Sequence, residues 1–186
     1  MIIAIIPAKE SSTRLPGKNM INLNGKPLID YSIDSTLNSK YINKVLISTD
    51  SDKIDEHCKQ KGLEVIRRPI SLGGDTPILD VYRHAINKLS IKNKFTLVGV
   101  QVDHPDRRVS LDKAIEIFLK EKVDRLMSKQ KNGVKNGAHY ILSDYFVSKE
   151  HSRKDITIID DCTNIHYEED LKKASLYLKK EIKNEV

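Results

Sequence analysis

Short apolar runs alternate with longer amphipathic segments through the first 125 residues of the chain. The apolar runs have the length and composition of strands that are buried on both faces, and they lie at residues 2–6, 45–49, 63–66 and 95–101. The segments between and after them space their apolar residues as helices do, at residues 28–37, 53–61, 78–89 and 111–122. This alternation predicts an α/β fold with a largely parallel sheet and helices on both faces.

The last third of the chain has weaker signals. Its pattern of apolar residues predicts strands at residues 125–128, 138–142 and 157–159, and a final helix at residues 167–183. Helix starts are predicted from capping residues, namely Ser51 or Asp52, Asp75 or Thr76, and Ser110. Since no linker, repeat or low-complexity tract interrupts this order, we expect one domain over residues 1–186.

A small cationic loop follows the first apolar run directly. Residues 9–18 contain Lys9, Arg14 and Lys18 together with small hydroxylated residues, Pro16 and Gly17. Open α/β sheets hold phosphorylated ligands at the carboxyl ends of their strands, where main-chain N–H groups and cations suit an anion. Asp75 and the segment 101–108 also follow strands or lie near strand ends. The sequence therefore predicts a polyphosphate site at that edge of the sheet.

Composition excludes several classes of protein. The two cysteines, Cys58 and Cys162, are too few and too far apart for a disulfide framework or a CxxC metal site, which is typical of a reducing cytosol. No apolar stretch approaches the length of a membrane span, and the N-terminal run lacks a preceding basic region, so we expect a cytoplasmic protein without a membrane partner. The net charge of +6 suits anionic small molecules and nucleic acids alike. Nucleic-acid binding has the least support, because the cations are scattered and aromatic residues are few.

Neither GxxxxGK[ST] nor GxGxxG occurs, so P-loop and dinucleotide-binding interpretations lose their main support. Instead, the segment IPAKESSTRLPGKN resembles the signature of the sugar-acid cytidylyltransferases, the enzymes that make CMP-activated nonulosonic acids and CMP-Kdo. Further segments resemble that family in the same order: PLIDYSIDSTL, VLISTDSDKIDEHCKQKGLEVIRRP, LGGDTPILDVYRHAI, VQVDHPDRR, NGAHYIL and NIHYEEDL. Together they cover most of the chain.

The resemblance implies a Rossmann-like nucleotidyltransferase fold and a specific reaction. CTP and a sugar acid would give the CMP-sugar and pyrophosphate, with Mg²⁺ as cofactor. By match to the family's motifs, the residues around the triphosphate that support catalysis would be Lys9, Arg14 and Lys18. The remaining nucleotide-binding residues would be Ala8, Ser12, Asn19, Asp75 and Gln101. The choice of cytosine rests on this likeness alone.

The metal ligands are a separate question. In the sialic-acid branch a DxD pair near the C-terminus holds Mg²⁺, but the matching positions here are Asn164 and His166. The stretch VQVDHP resembles the CMP-Kdo enzymes, in which an aspartate after the glutamine binds the metal. The resemblance therefore implies Asp103 as the first candidate and Asp161 as the second. For substrate contact, the candidates in this stretch are His104 and Arg107.

Two departures from the family leave alternatives open. Lys9 replaces the usual arginine, and the two side chains are not equivalent at a bidentate phosphate site. The family's sizeable insertion, which helps to bind the sugar and to form the dimer, is reduced here to residues 129–135. The chain therefore either uses a smaller or different acceptor, assembles differently from the family's homodimer, or is a catalytically impaired nucleotide-binding homologue with a regulatory or unknown role.

Overall fold

The computed structural model describes residues 1–74, 76–89, 91 and 93–184, with side chains described as far as residue 181. A seven-stranded sheet forms the centre of the molecule. Its strands are β1 (Ile2–Ala8), β4 (Lys44–Thr49), β5 (Glu64–Arg67), β6 (Thr96–Gly99), β7 (Arg125–Lys129), β8 (Lys135–Ser143) and β9 (Asp155–Ile159). A separate two-stranded hairpin consists of β2 (Asn22–Leu23) and β3 (Lys26–Pro27), joined by the turn predicted at residues 24–25.

The strand order in the large sheet is β5-β4-β1-β6-β8-β7-β9. All of these strands run in one direction except β8, which is antiparallel to both of its neighbours. The central strand β1 pairs on both sides, with Ile5 opposite Leu46 of β4 and Gly99 of β6. The prediction of a largely parallel sheet is confirmed.

Helices cover both faces of the sheet, as predicted. They are α1 (Leu28–Leu37), α2 (Asp52–Gln60), α3 (Ile78–Lys88), α4 (Leu111–Glu121), α5 (Asp144–Lys149) and α6 (Glu168–Asn184). The predicted caps of α2 and α4 are confirmed, since Ser51 accepts from the amide of Ile54 and Ser110 accepts from that of Lys113. Of the two caps predicted for α3, Thr76 is wrong and Asp75 lies outside the described residues: the N-cap position is Pro77, which provides no side-chain cap, and the Thr76 hydroxyl donates to the Gly73 carbonyl instead.

Two features of the last third differ from expectation. Strand β8 is longer than predicted, because residues 135–137 continue the pairing with β7 past a positive-φ glycine, Gly137. The short helix α5 was missed, although Ser143 caps it by accepting from the Phe146 amide. Six residues are too few for a helical period to stand out in a sequence.

The alternation of side chains along β1 divides the core into two layers. Ala4, Ile6 and Ala8 pack on the face covered by α1, α2, α4 and α6, whereas Ile3 and Ile5 pack against α3 and α5. Each of these five side chains is at most 1% exposed. Because β1 is held from both faces and both edges, the loop after Ala8 starts from a fixed point at the carboxyl edge of the sheet. No helix among the described residues is long and apolar enough to cross a membrane.

Candidate active site

A cavity of about 220 Å³ opens at the carboxyl ends of β1, β5 and β6. It is therefore at the edge of the sheet where the sequence predicts a ligand site. The lining residues are Pro7, Lys9, Ser12, Lys18, Asn19, Arg68, Leu72, Gly73, Gly74, Thr76, Ile78, Val81, Gln101, Val102 and Asp103. Of the predicted site residues, this cavity brings together Lys9, Ser12, Lys18, Asn19, Gln101 and Asp103.

Lys18 has the most constrained position in the cationic loop. It begins a short 3₁₀ turn directly after Gly17, whose φ of 64° is easily reached by glycine. Its Nζ lies 2.8 Å from Asp103 Oδ1 and donates to the Ile165 carbonyl oxygen at 3.0 Å. The Ile165 amide in turn donates to the Asp103 carbonyl oxygen at 2.9 Å. A cation and a carboxylate thus meet in the cavity wall, and the segment before α6 fixes both of them.

Lys9 and Asn19 connect the two ends of the cationic loop. The Asn19 side-chain amide donates to the Lys9 carbonyl oxygen at 2.9 Å, so Asn19 holds the start of the loop against the 3₁₀ turn. Lys9 Nζ donates to the Gly74 carbonyl oxygen at 3.0 Å. The ammonium group of Lys9 is therefore held across the cavity by the glycine-containing segment that precedes α3.

Arg68 is a lining residue that the sequence interpretation missed. The whole residue is 6% exposed, and its guanidinium lies 3.5 Å from Asp50, which also accepts from the Glu10 amide at 2.9 Å. Burial lowers the pKa of Arg68, and Asp50 opposes that shift. Its Nε has no hydrogen-bond partner among the described residues. The available signal was the Arg67-Arg68-Pro69 run, which follows a strand at the same edge of the sheet as the cationic loop.

Arg107 and His104 do not line the cavity, contrary to the expectation that they contact substrate. The three guanidinium nitrogens of Arg107 donate to the main-chain carbonyl oxygens of Ala138, His104 and Gln101. His104 is fully buried, and its Nδ1 lies 2.9 Å from the Thr163 carbonyl oxygen. Burial, with a further contribution from Arg107, lowers the pKa of His104 to about 4. Both side chains lie beneath the loop that carries Gln101 and Asp103.

The remaining predicted site residues have separate positions. Ala8 is buried in the core at the end of β1, and Arg14 is exposed outside the cavity lining. Asp161 lies by the turn between β7 and β8, where its carboxylate accepts from the Lys131 amide at 2.7 Å. The structure therefore does not bring Asp161 to the cavity with Asp103. Asp75 lies outside the described residues.

Among the described residues that line the cavity, Asp103 is the carboxylate that could bind a metal ion. No group of three or more His, Cys, Asp or Glu side chains that could hold a metal occurs in the described part of the chain. Asp160 is buried and bonded to His139 Nε2 at 2.8 Å. Burial by itself raises the pKa of Asp160, but the hydrogen bonds from His139 and from the amides of the Arg108 region outweigh it and lower the pKa. The Asp160 carboxylate is thus bonded to groups inside the protein and does not line the cavity.

Comparison with protein families gives one match over nearly the whole chain, the family described as cytidylyltransferase, at residues 3–180. The chain is 33% identical over 130 residues to the N-acylneuraminate cytidylyltransferase of Streptococcus agalactiae serotype V, covering 68% of this chain and 31% of that protein. It is 36% identical over 105 residues to the 3-deoxy-manno-octulosonate cytidylyltransferase of Cytophaga hutchinsonii, covering 56% and 40%. The chain thus spans only between about a third and two fifths of the length of these curated relatives.

Solved structures show the same fold. The structure of CMP:2-keto-3-deoxy-manno-octonic acid synthetase complexed with CTP has a TM-score of 0.74 at 13% identity, covering 97% of this chain and 99% of that one. A cytidylyltransferase from Leptospira borgpetersenii has a TM-score of 0.61 at 22% identity, covering 80% and 62%. At these identities the likeness concerns the fold alone. The family match over residues 3–180, together with the motifs in the sequence, shows that the chain belongs to the cytidylyltransferase family of nucleotidyltransferases.

Proposed function

We propose that this chain transfers CMP from CTP to a sugar acid and releases pyrophosphate, with Mg²⁺ as cofactor. The observation that carries the proposal is the pairing of Lys18 with Asp103 at 2.8 Å in the cavity wall. A triphosphate needs cations, and its metal ion needs an oxygen ligand. The two groups lie side by side at the end of β6 and of the cationic loop.

The charges around the cavity suit a polyphosphate. Lys9 and Lys18 reach it from the two ends of the cationic loop and Arg68 from the end of β5, and Asp103 is the carboxylate among its described lining residues. Since Lys18 and Arg68 are each at most 9% exposed, water screens their charges less than it would on an open surface. A bound triphosphate would gain charge-assisted hydrogen bonds from all three cations.

The residues present also fit a magnesium ion. Mg²⁺ is bound through one or two carboxylates and completes its coordination with phosphate oxygens and water. Asp103 supplies one carboxylate beside the cations that would hold the phosphates. When bound, the ion would neutralise negative charge on the phosphate oxygens.

The reaction requires the protein to orient the reacting groups and to stabilise negative charge on the phosphates. An acceptor hydroxyl oxygen forms a bond to the α-phosphorus, the bond from that phosphorus to the bridging oxygen breaks, pyrophosphate leaves, and the hydroxyl proton passes to solvent. Lys9 and Lys18 would hold the departing phosphates, and Asn19 would keep the loop that carries them in place. Orientation and charge stabilisation of this kind account for most of the catalysis in phosphoryl-type transfers.

The acceptor class comes from the relatives, which are named for N-acylneuraminate and 3-deoxy-manno-octulosonate. In this chain β7 and β8 are joined only by residues 130–134, so little of the chain lies at that end of the sheet to surround a sugar. A smaller or differently held sugar acid therefore fits the proposal. A homodimer and a cytoplasmic location belong to the same proposal.

A second candidate is a nucleotide-binding homologue with impaired catalysis. It is favoured by the residues at the positions that match the DxD pair, Asn164 and His166. His166 is half-buried, and burial together with the nearby Arg14 lowers its pKa, so it is a neutral imidazole at pH 7. Neither residue offers the carboxylate that magnesium prefers.

A pyrophosphate-release assay tests the proposal and separates the two candidates. The purified protein is combined with each of the four nucleoside triphosphates and with a panel of sugar acids, in magnesium and in EDTA. We expect release with CTP, a sugar acid and magnesium together. If calorimetry shows that CTP binds but no sugar acid leads to pyrophosphate release, the impaired homologue is favoured. If another nucleotide is preferred to CTP, the assignment of cytosine is overturned.

A further inference from the structure

Arg107 connects two segments that are far apart in the sequence. Its NH2 donates to the Gln101 carbonyl oxygen at 2.6 Å, its NH1 to the His104 carbonyl oxygen at 2.6 Å, and its Nε to the Ala138 carbonyl oxygen at 2.8 Å. The first two acceptors lie on the loop after β6, and the third lies on β8. A single planar guanidinium thus fixes the loop to the neighbouring strand.

The side chain of Gln101 is confined from the other side by Gly137. A Cβ atom built on Gly137 would lie 2.9 Å from Gln101 Nε2, and the φ angle of Gly137 is +73°. Gly137 directly precedes Ala138, which accepts the hydrogen bond from Arg107. Gln101 lines the cavity, and its carboxamide occupies space that only a glycine at position 137 leaves open.

We infer that Arg107 is a positioning residue that holds Gln101 in the wall of the cavity for the bound nucleotide. This inference rests on the proposed function, because it takes the ligand to be a pyrimidine nucleoside triphosphate. Arg107 acts through the main chain of Gln101 and does not touch the ligand. The Ser32 hydroxyl also donates to the Gln101 carbonyl oxygen, at 3.3 Å.

The buried guanidinium of Arg107 is held by main-chain carbonyl oxygens of the loop and of β8. Arg107 forms no ion pair with a carboxylate of the described residues, and burial lowers the pKa of its guanidinium. Asp160 and Asp106 lie near enough to oppose that shift, although neither forms an ion pair with Arg107. Removing a cation from water without an ion-pair partner costs free energy, which the three carbonyl bonds help to offset. Lysine would keep the charge but would lose the planar fork that reaches three acceptors at once.

A double-mutant cycle tests the inference. The dissociation constant of CTP with magnesium is measured by calorimetry for the wild type, Arg107→Lys, Gln101→Ala and the double variant. We expect Arg107→Lys and Gln101→Ala each to weaken binding about tenfold, and the double variant to bind within about twofold of Gln101→Ala. A residue with only a structural role would either leave CTP binding unchanged or add its full effect in the double variant, and either result would overturn the inference.

Arg83→Lys is the matched control. Arg83 also donates to a main-chain carbonyl, that of Val147 at 2.8 Å, and it pairs with Glu150 at 3.0 Å, on the face of the sheet covered by α3 and α5. The Arg83→Lys substitution should lower the melting temperature but leave the CTP dissociation constant unchanged. Gly137→Ala supplies a second variant if Arg107→Lys does not fold, because it disturbs the Gln101 carboxamide from the opposite side.

A readout without nucleotide separates this inference from the proposed function. The side-chain amide signals of Gln101 in ¹⁵N NMR spectra are assigned by their loss in Gln101→Ala. In Arg107→Lys they should shift and exchange faster with water, whereas in Arg83→Lys they should not change. If CTP does not bind to the wild type, the proposed function fails. If the Gln101 signals are the same in the wild type and Arg107→Lys, the positioning role fails.

Discussion

The Nζ of Lys18 and the Oδ1 of Asp103 lie 2.8 Å apart, and their side chains are only 11% and 24% exposed. The cation that would bind phosphate and the carboxylate that would bind magnesium neutralise each other in this ion pair. A metal ion on Asp103 would free Lys18 for phosphate, and phosphate on Lys18 would free Asp103 for the metal. Binding of nucleotide and of magnesium should therefore be coupled.

Lys18→Met tests the phosphate contact. Removing one charge-assisted hydrogen bond to the triphosphate should weaken CTP binding roughly 10- to 100-fold. It should also lower the melting temperature, since Asp103 loses its partner. Calorimetry with CTP and magnesium checks the first effect. Lys40→Met is the control, because Lys40 pairs with Glu116 on the surface. This variant should bind CTP with the affinity of the wild type. Unchanged affinity in Lys18→Met would contradict the placement of the triphosphate.

Asp103→Asn tests the coupling. In EDTA this variant should bind CTP about three- to fivefold more tightly than the wild type, because Lys18 is released and a negative charge is removed. In magnesium it should gain little further affinity. Titrations in both buffers measure the two effects, with Asp34→Asn as the control, since Asp34 pairs with Lys26 away from the cavity. Weaker binding in EDTA would show that Asp103 does not compete with phosphate for Lys18.

Arg68 and its neighbour Arg67 form an internal comparison. Arg68 lines the cavity, and its Nε has no partner in the part of the chain that the structure describes, whereas Arg67 pairs with Asp52 at the surface at 2.8 Å. Arg68→Gln should weaken CTP binding about tenfold, because a buried donor to the ligand is lost. Arg67→Gln should leave it unchanged. Equal effects of the two substitutions on the dissociation constant would mean that Arg68 acts only through net charge.

Asp124→Asn should reduce stability in a pH-dependent way. Asp124 accepts from Arg153 Nε and NH2 at 2.8 and 2.7 Å and from the Ser143 hydroxyl at 3.0 Å. The hydrogen bonds from Arg153 lower the pKa of this carboxyl well below its usual 3.8. The ionised form therefore stabilises the fold above about pH 4, and that contribution is lost as the pH falls toward the folded-state pKa.

At pH 7 we expect Asp124→Asn to lower the free energy of unfolding by about 2 kcal/mol. The difference from the wild type should shrink as the pH is lowered from 5 to 3, which urea denaturation at several pH values measures. Asp52→Asn is the control, since the Asp52 side chain is 99% exposed. A constant difference across this range would show that packing, and not the charge of Asp124, supplies the stability.

Sequence reasoning succeeded where the relevant interactions are local. Apolar runs located β1, β4 and β6 because a strand buried on both faces needs consecutive apolar residues. Ser51 and Ser110 were recognised as caps because an N-cap bonds to an amide three residues away. The cationic loop was assigned to the edge of the sheet because it follows a buried strand directly.

The interpretation failed where a side chain serves a distant segment. Arg107 and His104 were expected to contact substrate because they lie in a loop at the carboxyl edge, but their polar groups bond to main-chain carbonyls of that loop, of β8 and of the segment before α6. Arg68 was missed because its importance depends on Asp50, which is 18 residues earlier in the chain. Sequence spacing carries no information about such partners.

The amino-acid sequence by itself determined the family, the largely parallel sheet and the loop that provides the cations, since these depend on periodicity and on motifs within short windows. Only the tertiary structure decided which of the polar residues face the cavity. It placed Lys18 against the carbonyl of Ile165, 147 residues away, and directed Arg107 into the loop that it supports. The reason is physical: a buried polar group must find its hydrogen-bond partners wherever the packed chain supplies them, and that arrangement exists only after the elements have come together.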